Sequence, residues 1–509
     1  MSPIFIMACV AAYSILLFVV VWYTSRNADN ESFFIGNKSS KWYIVAYGMI
    51  GASLSGVTFM SVPGWVGSTQ FSYMMVVFGY LVGYAVIAMI LLPLYYRMNL
   101  TSIYTYLEER FGTRSYKTGA FYFILSRTIG ASFRLYIVVN VLQTFVLDAW
   151  GVPFWVTVAS FIGLILLYTY KGGVKTIVWT DTLQTTFMLL AVLLSVIFIA
   201  RELNFSFSNI LSEVFDGKYS RLVNTEWQER SFWVKQFFGG MFIAIAMTGL
   251  DQEMMQKNIS VKNLKDSQKN MMTFTAVLMV VNLLFLVLGG ILYLYAAQNN
   301  INVPPDDLFA TIALSDTFSG VIGIIFIIAL ISALFPSVDG AITSLTSCFC
   351  IDILGIKKSV ASEKEKKNTR LKVHFTFAVV FFLMTLLYKW IDDKLIIDFI
   401  LKFAGITYGP LLGLFAFGIL TKRRLNEKLI WAVCIIAPMM ALGLDMLSNP
   451  AWYEAKLHIS FGLQTLSDSI FNGYKIGNEL ILINGIFTFF GLWFISKKST
   501  VATSQLHAV

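Results

Sequence analysis

Long apolar windows recur along the whole chain and constrain its fold more than any short motif does. A helix that crosses the hydrocarbon core of a bilayer needs about 20 consecutive, mainly apolar residues. The sequence supplies such windows at about 3–24, 42–66, 71–96, 118–147, 152–170, 176–200, 232–255, 271–297, 319–349, 373–390, 395–421, 429–447 and 479–496. With 57% hydrophobic and only 13% charged residues, the chain cannot cover a water-facing surface. The sequence therefore predicts an all-α integral membrane protein with about 13 transmembrane helices.

The distribution of basic residues predicts how these helices are oriented. If the N-terminus lies outside, 26 of the 38 Lys and Arg residues fall in inside loops and 9 in outside loops. Cytoplasmic loops carry an excess of Lys and Arg, so this split favours an N-terminus outside and a cytoplasmic C-terminus. The net charge of +9 is then a topology signal, and nucleic acid is not expected as a partner. The predicted location is the cell (inner) membrane.

The sequence lacks the motifs that would predict catalysis. It has no GxSxG, no P-loop and no HExxH. Its three histidines and four cysteines do not show metal-ligand spacing. Polar groups gather in a few interrupted segments, whereas a channel would need a continuous polar lining. The expectation is a membrane protein that is not an enzyme and has no cofactor of an enzyme type.

The second apolar window contains a segment that forms a poor helix. The nine residues 48–56 contain three glycines, Gly48, Gly51 and Gly56, and two serines, Ser53 and Ser55. Glycine costs up to about 1 kcal/mol relative to alanine in a helix, and irregular backbone at membrane depth must face protein or a cavity. Close packing of small residues against another helix is one interpretation. The pattern favours a second one, a discontinuous helix whose freed carbonyl oxygens can bind a cation.

The ninth window carries polar residues in its second half. Pro336 has no N–H for the carbonyl of Ser332, which leaves that oxygen free for water or a cation. Asp339 lies beside the stripe that includes Ser337. A carboxylate at this depth costs a few kcal/mol unless it is paired, protonated or bound to a cation. Asp339 is therefore either a satisfied structural residue or an ion or proton site, and the second interpretation is favoured.

Other charged residues also lie at membrane depth. Arg127 and Arg134 are seven residues apart on one helix face, about 10 Å apart along the axis. Arg134 is near the middle of its window, so it should face a cavity or a carboxylate of the protein or the substrate. Lys402 is near enough to the outer end of its window to snorkel. Asp181 is either a cap at the inner leaflet or a second carboxylate on an ion path.

Five longer strings carry a resemblance to a known family. They are SLSGVTFMSVPGW, TSIYTYLEERFGTRS, YTYKGGVKTIVWTDTLQ, TGLDQEMMQKN and SLTSCFCIDIL, in this order along the chain. Through them the chain resembles the sodium/solute symporter family over about residues 30–425, and in particular its bacterial sialic acid transporter branch. The resemblance implies a LeuT-like fold, in which two inverted five-helix repeats form the core and the first core helix is broken.

The resemblance also implies a division of the chain. An extra N-terminal helix and a cytoplasmic loop occupy 1–41, and the first five-helix repeat occupies 42–201. An extracellular loop spans 202–231, and the second repeat spans 232–421. Two C-terminal helices and a short cytoplasmic tail make up 422–509.

The family's sodium site can be transferred to this chain residue by residue. It implies carbonyl ligands from Gly51, Leu54 and Ala333 and a hydroxyl ligand from Ser337. The family's other hydroxyl position is Pro336 here, which removes one side-chain ligand.

The sialic acid branch implies further site residues. In that branch a second sodium binds between an aspartate and two serines. The aspartate corresponds to Asp181, and the serine positions are Asp339 and Gly340 in this chain. The resemblance therefore implies a second ion or a proton at Asp181 and Asp339. Its substrate contacts fall on Ser53, Ser55, Thr58 and Arg134. Sialic acid or another carboxylated or sugar-like metabolite would fit this set.

The resulting prediction is a Na+-coupled secondary active symporter that imports a small organic solute by alternating access. Its expected partners are the solute, sodium ions and membrane lipid, and we expect it to work as a monomer. Two alternatives are a proton-coupled transporter that uses Asp339 and a membrane sensor that does not transport.

Overall fold

The computed structural model describes residues 3–24, 30–206, 209–315, 317–318, 320–391, 395–457, 459–460 and 462–498. The α-helices are α1 (Pro3–Thr24), α2 (Asn30–Ile35), α3 (Trp42–Ser53), α4 (Gly56–Thr69), α5 (Tyr73–Val86), α6 (Leu92–Arg97), α7 (Thr105–Phe111), α8 (Thr113–Leu142), α9 (Phe154–Glu202), α10 (Ile210–Phe215), α11 (Trp233–Ala244), α12 (Gln252–Ile259), α13 (Leu264–Gln298), α14 (Leu308–Ala313), α15 (Val321–Cys348), α16 (Glu363–Ile391), α17 (Leu395–Leu420), α18 (Ile430–Ser448), α19 (Pro450–Leu457), α20 (Gln464–Phe471) and α21 (Leu480–Phe494). Two short strands, β1 (Arg424–Leu425) and β2 (Ser496–Lys497), pair antiparallel. Most of the predicted cytoplasmic tail, residues 499–509, lies outside the described residues.

Each predicted apolar window coincides with a helix or with a pair of successive helices. Within the ranges given above, eight helices are long and apolar enough to cross a membrane, or nine if α11 and α12 form one bent span. Three shorter apolar helices, Ala8–Thr24, Phe154–Thr169 and Leu480–Phe494, also lie in predicted windows. The all-helical membrane architecture is confirmed, and the count of about 13 spans stays a prediction.

The fifth and sixth predicted windows are joined within α9 at a kink. Gly173 has φ 51° and ψ −142°, a backbone conformation that only glycine adopts readily. A Cβ atom at this position would lie 2.5 Å from the Cα atom of Phe33. The kink therefore depends on glycine both for its dihedral angles and for the close approach of α2.

The second window is a discontinuous helix, as predicted. Helix α3 ends at Ser53, Leu54 and Ser55 are extended, and α4 begins at Gly56. The Ser55 side chain accepts a hydrogen bond from the Thr58 N–H at 3.5 Å and so caps α4. The break thus lies inside the glycine- and serine-rich segment.

The seventh window is also broken, which the sequence analysis did not predict. Helix α11 continues into a π-helical turn, Ile245–Gly249, and α12 then leaves at an angle of 65°. Asp251 caps α12 by accepting hydrogen bonds from the N–H groups of Glu253 and Met254 at 2.9 and 3.2 Å. The seventh window, like the second, is therefore a broken helix.

Helix α15 is the most enclosed of the long helices. Its apolar window is 83% buried, against 33% for α16, and it packs on α3, α8 and α9. The polar second half of the ninth window is therefore inside the protein and away from lipid.

Close contact between α5 and α11 depends on glycine, and this leads to a first prediction. A Cβ atom at Gly240 would lie 2.2 Å from the carbonyl oxygen of Val76, whereas one at Gly163 would have no neighbour within 4 Å. Because the obstacle is backbone, G240A must move a helix, and overpacking of this kind costs about 1–3 kcal/mol. We expect G240A to lower the melting temperature of the purified protein in detergent and G163A to leave it unchanged or slightly higher. Equal melting temperatures for the two variants would contradict the packing described here.

Candidate functional site

A cavity of about 390 Å³ lies beside the break between α3 and α4. This volume is within the range of small-molecule sites. Its wall includes all four predicted substrate residues: Ser53, Ser55, Thr58 and Arg134. They come from the broken helix and from α8, so the structure brings together residues that are about 80 positions apart in the sequence.

The rest of the cavity wall combines aliphatic, aromatic and polar side chains. Trp65, Tyr73, Phe133 and Tyr408 supply rings, and Asn282 supplies an amide. A pocket of this composition suits a small organic molecule that has both an apolar body and polar groups. It would not suit a bare ion.

Arg127 and Arg134 of α8 have different environments. Arg127 is buried and forms a salt bridge with Glu253, and its guanidinium also lies 3.8 Å from Asp251. Arg134 is half-buried, and both side chains reach the cavity wall. Among the described residues, no acidic side chain forms an ion pair with Arg134. Of the two, only Arg134 therefore presents a guanidinium that is available to a ligand in the cavity.

The predicted sodium ligands lie on the broken helix and on α15, which pack against each other. The last hydrogen bond of α3 runs from the Leu54 N–H to the Ile50 carbonyl at 2.8 Å. The carbonyl groups that follow Ile50 therefore have no N–H partner within the helix. On α15, which packs against α3, the Ser337 hydroxyl is 3.5 Å from the Ala333 carbonyl oxygen. The Thr185 hydroxyl accepts a hydrogen bond from the Gly51 N–H at 3.0 Å and fixes that peptide. A set of carbonyl and hydroxyl oxygens is the type that hard cations prefer, and these residues fit a sodium ion.

Asp181 is wholly buried within the protein. Its Oδ2 atom is 2.7 Å from the ammonium of Lys257 on α12, which is also 3.5 Å from Glu253 Oε1. Lys257 follows the seventh predicted window, 232–255, and is one of the 26 basic residues counted in inside loops. The structure places it in the protein interior instead. A basic partner for Asp181 was not predicted.

Asp339 is buried on α15 and has hydrogen-bond donors of its own. Its Oδ2 accepts from the Tyr168 hydroxyl at 2.7 Å, and its Oδ1 accepts from the Gly340 N–H at 2.5 Å. It also interacts electrostatically with Asp181 and Lys257. The structure thus places the two predicted carboxylates of the second site in one electrostatic cluster, and their role as an ion or proton site stays a prediction.

Lys402 has a partner that the sequence analysis did not identify. Its ammonium is 2.5 Å from Asp445 Oδ2 on α18, and it lies over the rings of Trp452 and Tyr453 at 4.0 and 4.5 Å. Snorkelling to the outer interface is therefore not needed to explain this residue. The contacts connect α17 with the C-terminal helices.

Residues 33–435 match the model of the sodium:solute symporter family. The chain is 23% identical over 421 residues to the sodium/sialic acid symporter SiaT of Proteus mirabilis (strain HI4320), which covers 80% of this chain and 83% of the relative. It is 25% identical over 404 residues to the sodium-coupled monocarboxylate transporter 1 of Mus musculus, with 77% of this chain and 64% of the relative covered. The substrate-bound, outward-open structure of a Na+-coupled sialic acid symporter superposes with a TM-score of 0.78 at 20% identity, over 97% of this chain and 99% of that one.

Proposed function

Since the chain belongs to the sodium:solute symporter family, we propose that its cargo is a carboxylated organic solute that Arg134 binds. The protein is a sodium-coupled secondary active transporter of the membrane, with a LeuT-like fold, and is not an enzyme. Sodium is its coupling ion. The proposal concerns the class of solute and the residues that bind it and the ion.

The observation that carries the proposal is the guanidinium of Arg134 in the cavity wall. An arginine at membrane depth is costly unless it meets a counter-charge. A carboxylate is the ligand that matches its planar pair of donors. The sialic acid and monocarboxylate relatives act on carboxylated solutes. Ser53, Ser55 and Thr58 then offer hydroxyls to the polar groups of a sugar-like body.

We place the coupling sodium at the carbonyls of Gly51, Leu54 and Ala333 and the hydroxyl of Ser337. Sodium at this position would hold α15 against the broken helix whose other side lines the cavity. Each ligand then raises the affinity for the other, a coupling that must be reciprocal. Alternating access follows when the broken helices move against α8 and α15 and open the cavity to the other side.

The energy that one sodium ion supplies can be bounded. One charge that crosses 100 mV yields about 2.3 kcal/mol, and a tenfold sodium gradient adds about 1.4 kcal/mol. Together they support roughly 500-fold accumulation of a neutral solute. A solute with one negative charge cancels the electrical part and leaves about tenfold accumulation per sodium ion.

We further propose that the protein lies in the cell (inner) membrane with its N-terminus outside and its C-terminus in the cytoplasm, as a working monomer. The excess of Lys and Arg in the loops assigned to the inside supports this orientation.

The sodium site is tested by S337A, with S160A as the matched control. Both serine hydroxyls donate to the carbonyl four residues earlier, but Ser160 is exposed on α9. The loss of one oxygen ligand should raise the sodium concentration at half-maximal uptake by about tenfold, since one such contact contributes about 1–1.5 kcal/mol. The measurement is uptake of labelled sialic acid and of labelled lactate into proteoliposomes, in sodium and in choline buffers, with 22Na+ binding as a readout that needs no solute.

The outcomes separate the parts of the proposal. A wild-type protein that binds no 22Na+ and takes up both solutes equally in sodium and choline would contradict sodium symport. Equal sodium dependence in S337A and S160A would contradict the assignment of Ser337. Uptake without sodium, driven by an inward proton gradient, would favour the proton-coupled alternative based on Asp339.

A further inference from the structure

We propose that the ammonium of Lys257 is a built-in cation beside Asp181. It takes the place of the second sodium ion that the sequence suggests at Asp181 and Asp339, and it fixes the coupling at one sodium per solute. The inference deepens the proposed function and rests on it, because it assumes that one sodium binds at the site of Ser337. It concerns the Lys257 cluster, which we define as Lys257, Asp181, Glu253 and Asp339.

The contacts of Lys257 are those of a cation that is held in place. Its Nζ atom is 2.7 Å from Asp181 Oδ2 and 3.5 Å from Glu253 Oε1. Its side chain is 3% exposed, and that of Asp181 is 0% exposed. A lysine so deeply buried stays charged only when carboxylates surround it, and here it has two. The lysine therefore supplies a fixed positive charge beside Asp181. This charge cannot dissociate into solution as a bound sodium ion can.

A sodium ion at Asp181 would meet this charge directly. Two unit charges about 4 Å apart, at an effective dielectric constant of about 20, repel enough to lower a binding constant roughly 1000-fold. The site of Ser337 uses uncharged oxygens from other residues and does not depend on the Asp181 carboxylate. Lys257 thus lowers the affinity for a second sodium ion at Asp181 and leaves the sodium site of Ser337 intact.

The cluster has the oxygens that a cation would use if Lys257 lost its charge. Asp181 Oδ1 is buried and has no hydrogen-bond partner among the described atoms, and the same is true of the hydroxyl of Thr343. Thr343 lies one helical turn after Asp339 on α15. Removal of the ammonium would leave the Asp181 carboxylate without its ion-pair partner. A buried, unpaired carboxylate attracts a cation or a proton.

Asp339 does not require a metal ion in the native protein. The Tyr168 hydroxyl and the Gly340 N–H each donate to one of its oxygens. Hydrogen bonds to both oxygens stabilise a carboxylate in place of a counter-ion. Neither aspartate of the cluster therefore needs a second sodium.

The number of bound sodium ions tests the inference directly. The probe is 22Na+ at saturating concentration, with the purified full-length protein in detergent, and the readout is ions bound per chain. We compare wild type with K257M and with the double variant D181N/K257M. The double variant removes both charges of the pair, so neither remains unpaired.

We expect one ion for wild type, two for K257M and one for D181N/K257M. With one sodium per monoanionic solute, a potassium diffusion potential should not change the initial rate of lactate uptake by wild type. Two ions bound to wild type would overturn the inference, and so would a single ion bound to K257M. No binding to wild type would instead contradict the proposed sodium site, which makes the two failures distinguishable. If K257M aggregates on size exclusion, two ions bound to wild type, or lactate uptake that a diffusion potential accelerates, would still overturn the inference.

Discussion

Replacing Arg134 with leucine is expected to reduce solute uptake to background while sodium binding is retained. Arg134 is the arginine of α8 that lines the cavity without an acidic partner among the described residues. Truncating one member of a buried charged pair costs about 2–5 kcal/mol, roughly 30- to several thousand-fold in affinity. R134K should recover only part of the uptake, because an ammonium cannot reproduce the paired donors of a guanidinium.

The measurement is uptake of labelled sialic acid and labelled lactate, with R114L as the control. Arg114 lies on the same helix, and its side chain is exposed. R114L should therefore transport both solutes as wild type does. If R134L transports either solute at the wild-type rate, Arg134 does not bind its carboxylate. Loss of 22Na+ binding in R134L would point to misfolding or to a role in the sodium site.

The first broken helix could be predicted because its signal is local. Three glycines and two serines fall within nine residues of an apolar window, and the break occurs at Leu54 and Ser55 among them. Irregular backbone inside a membrane is expensive, so this composition has few interpretations. The cavity residues follow from the same segment.

The second broken helix was missed although its sequence carries a signal. Residues 250–257 read LDQEMMQK, with two carboxylates and a lysine at the end of an apolar window. The window was interpreted as one straight span followed by an inside loop. An aspartate that caps a new helix with a glutamate two residues later would have indicated α12. Apolar windows measure length and composition, and they do not register a bend of 65°.

The partners of the buried charges could not be predicted from spacing. Arg127 and Arg134 share a helix face, but only the fold shows that Glu253 lies next to Arg127. The Lys257 and Asp181 pair joins residues 76 positions apart. Lys402 likewise meets Asp445 on α18, a helix outside the two predicted repeats. Such contacts depend on how distant helices pack, which no single segment encodes.

Breaking the salt bridge between Arg127 and Glu253 should cause the largest loss of stability. The pair joins α12 to α8, and both side chains are almost fully buried. In E253Q the Arg127 guanidinium loses its closest carboxylate, and Lys257 loses one of its two. Removing one partner of a buried ion pair costs about 3–5 kcal/mol, because the other charge is left without compensation. We expect E253Q to lower the melting temperature in detergent more than G240A does.

The double variant R127M/E253M separates the cost of an unpaired charge from the loss of the pair itself. Apolar residues of similar volume in place of a buried pair are often neutral or stabilising. In the double variant Lys257 keeps Asp181, and Asp251 keeps the hydroxyl of Tyr408 at 2.7 Å and two N–H groups of α12. More than half of the stability lost in E253Q should therefore return. If R127M/E253M melts as low as E253Q, the attraction between the two side chains, and not the uncompensated charge, holds α12 against α8.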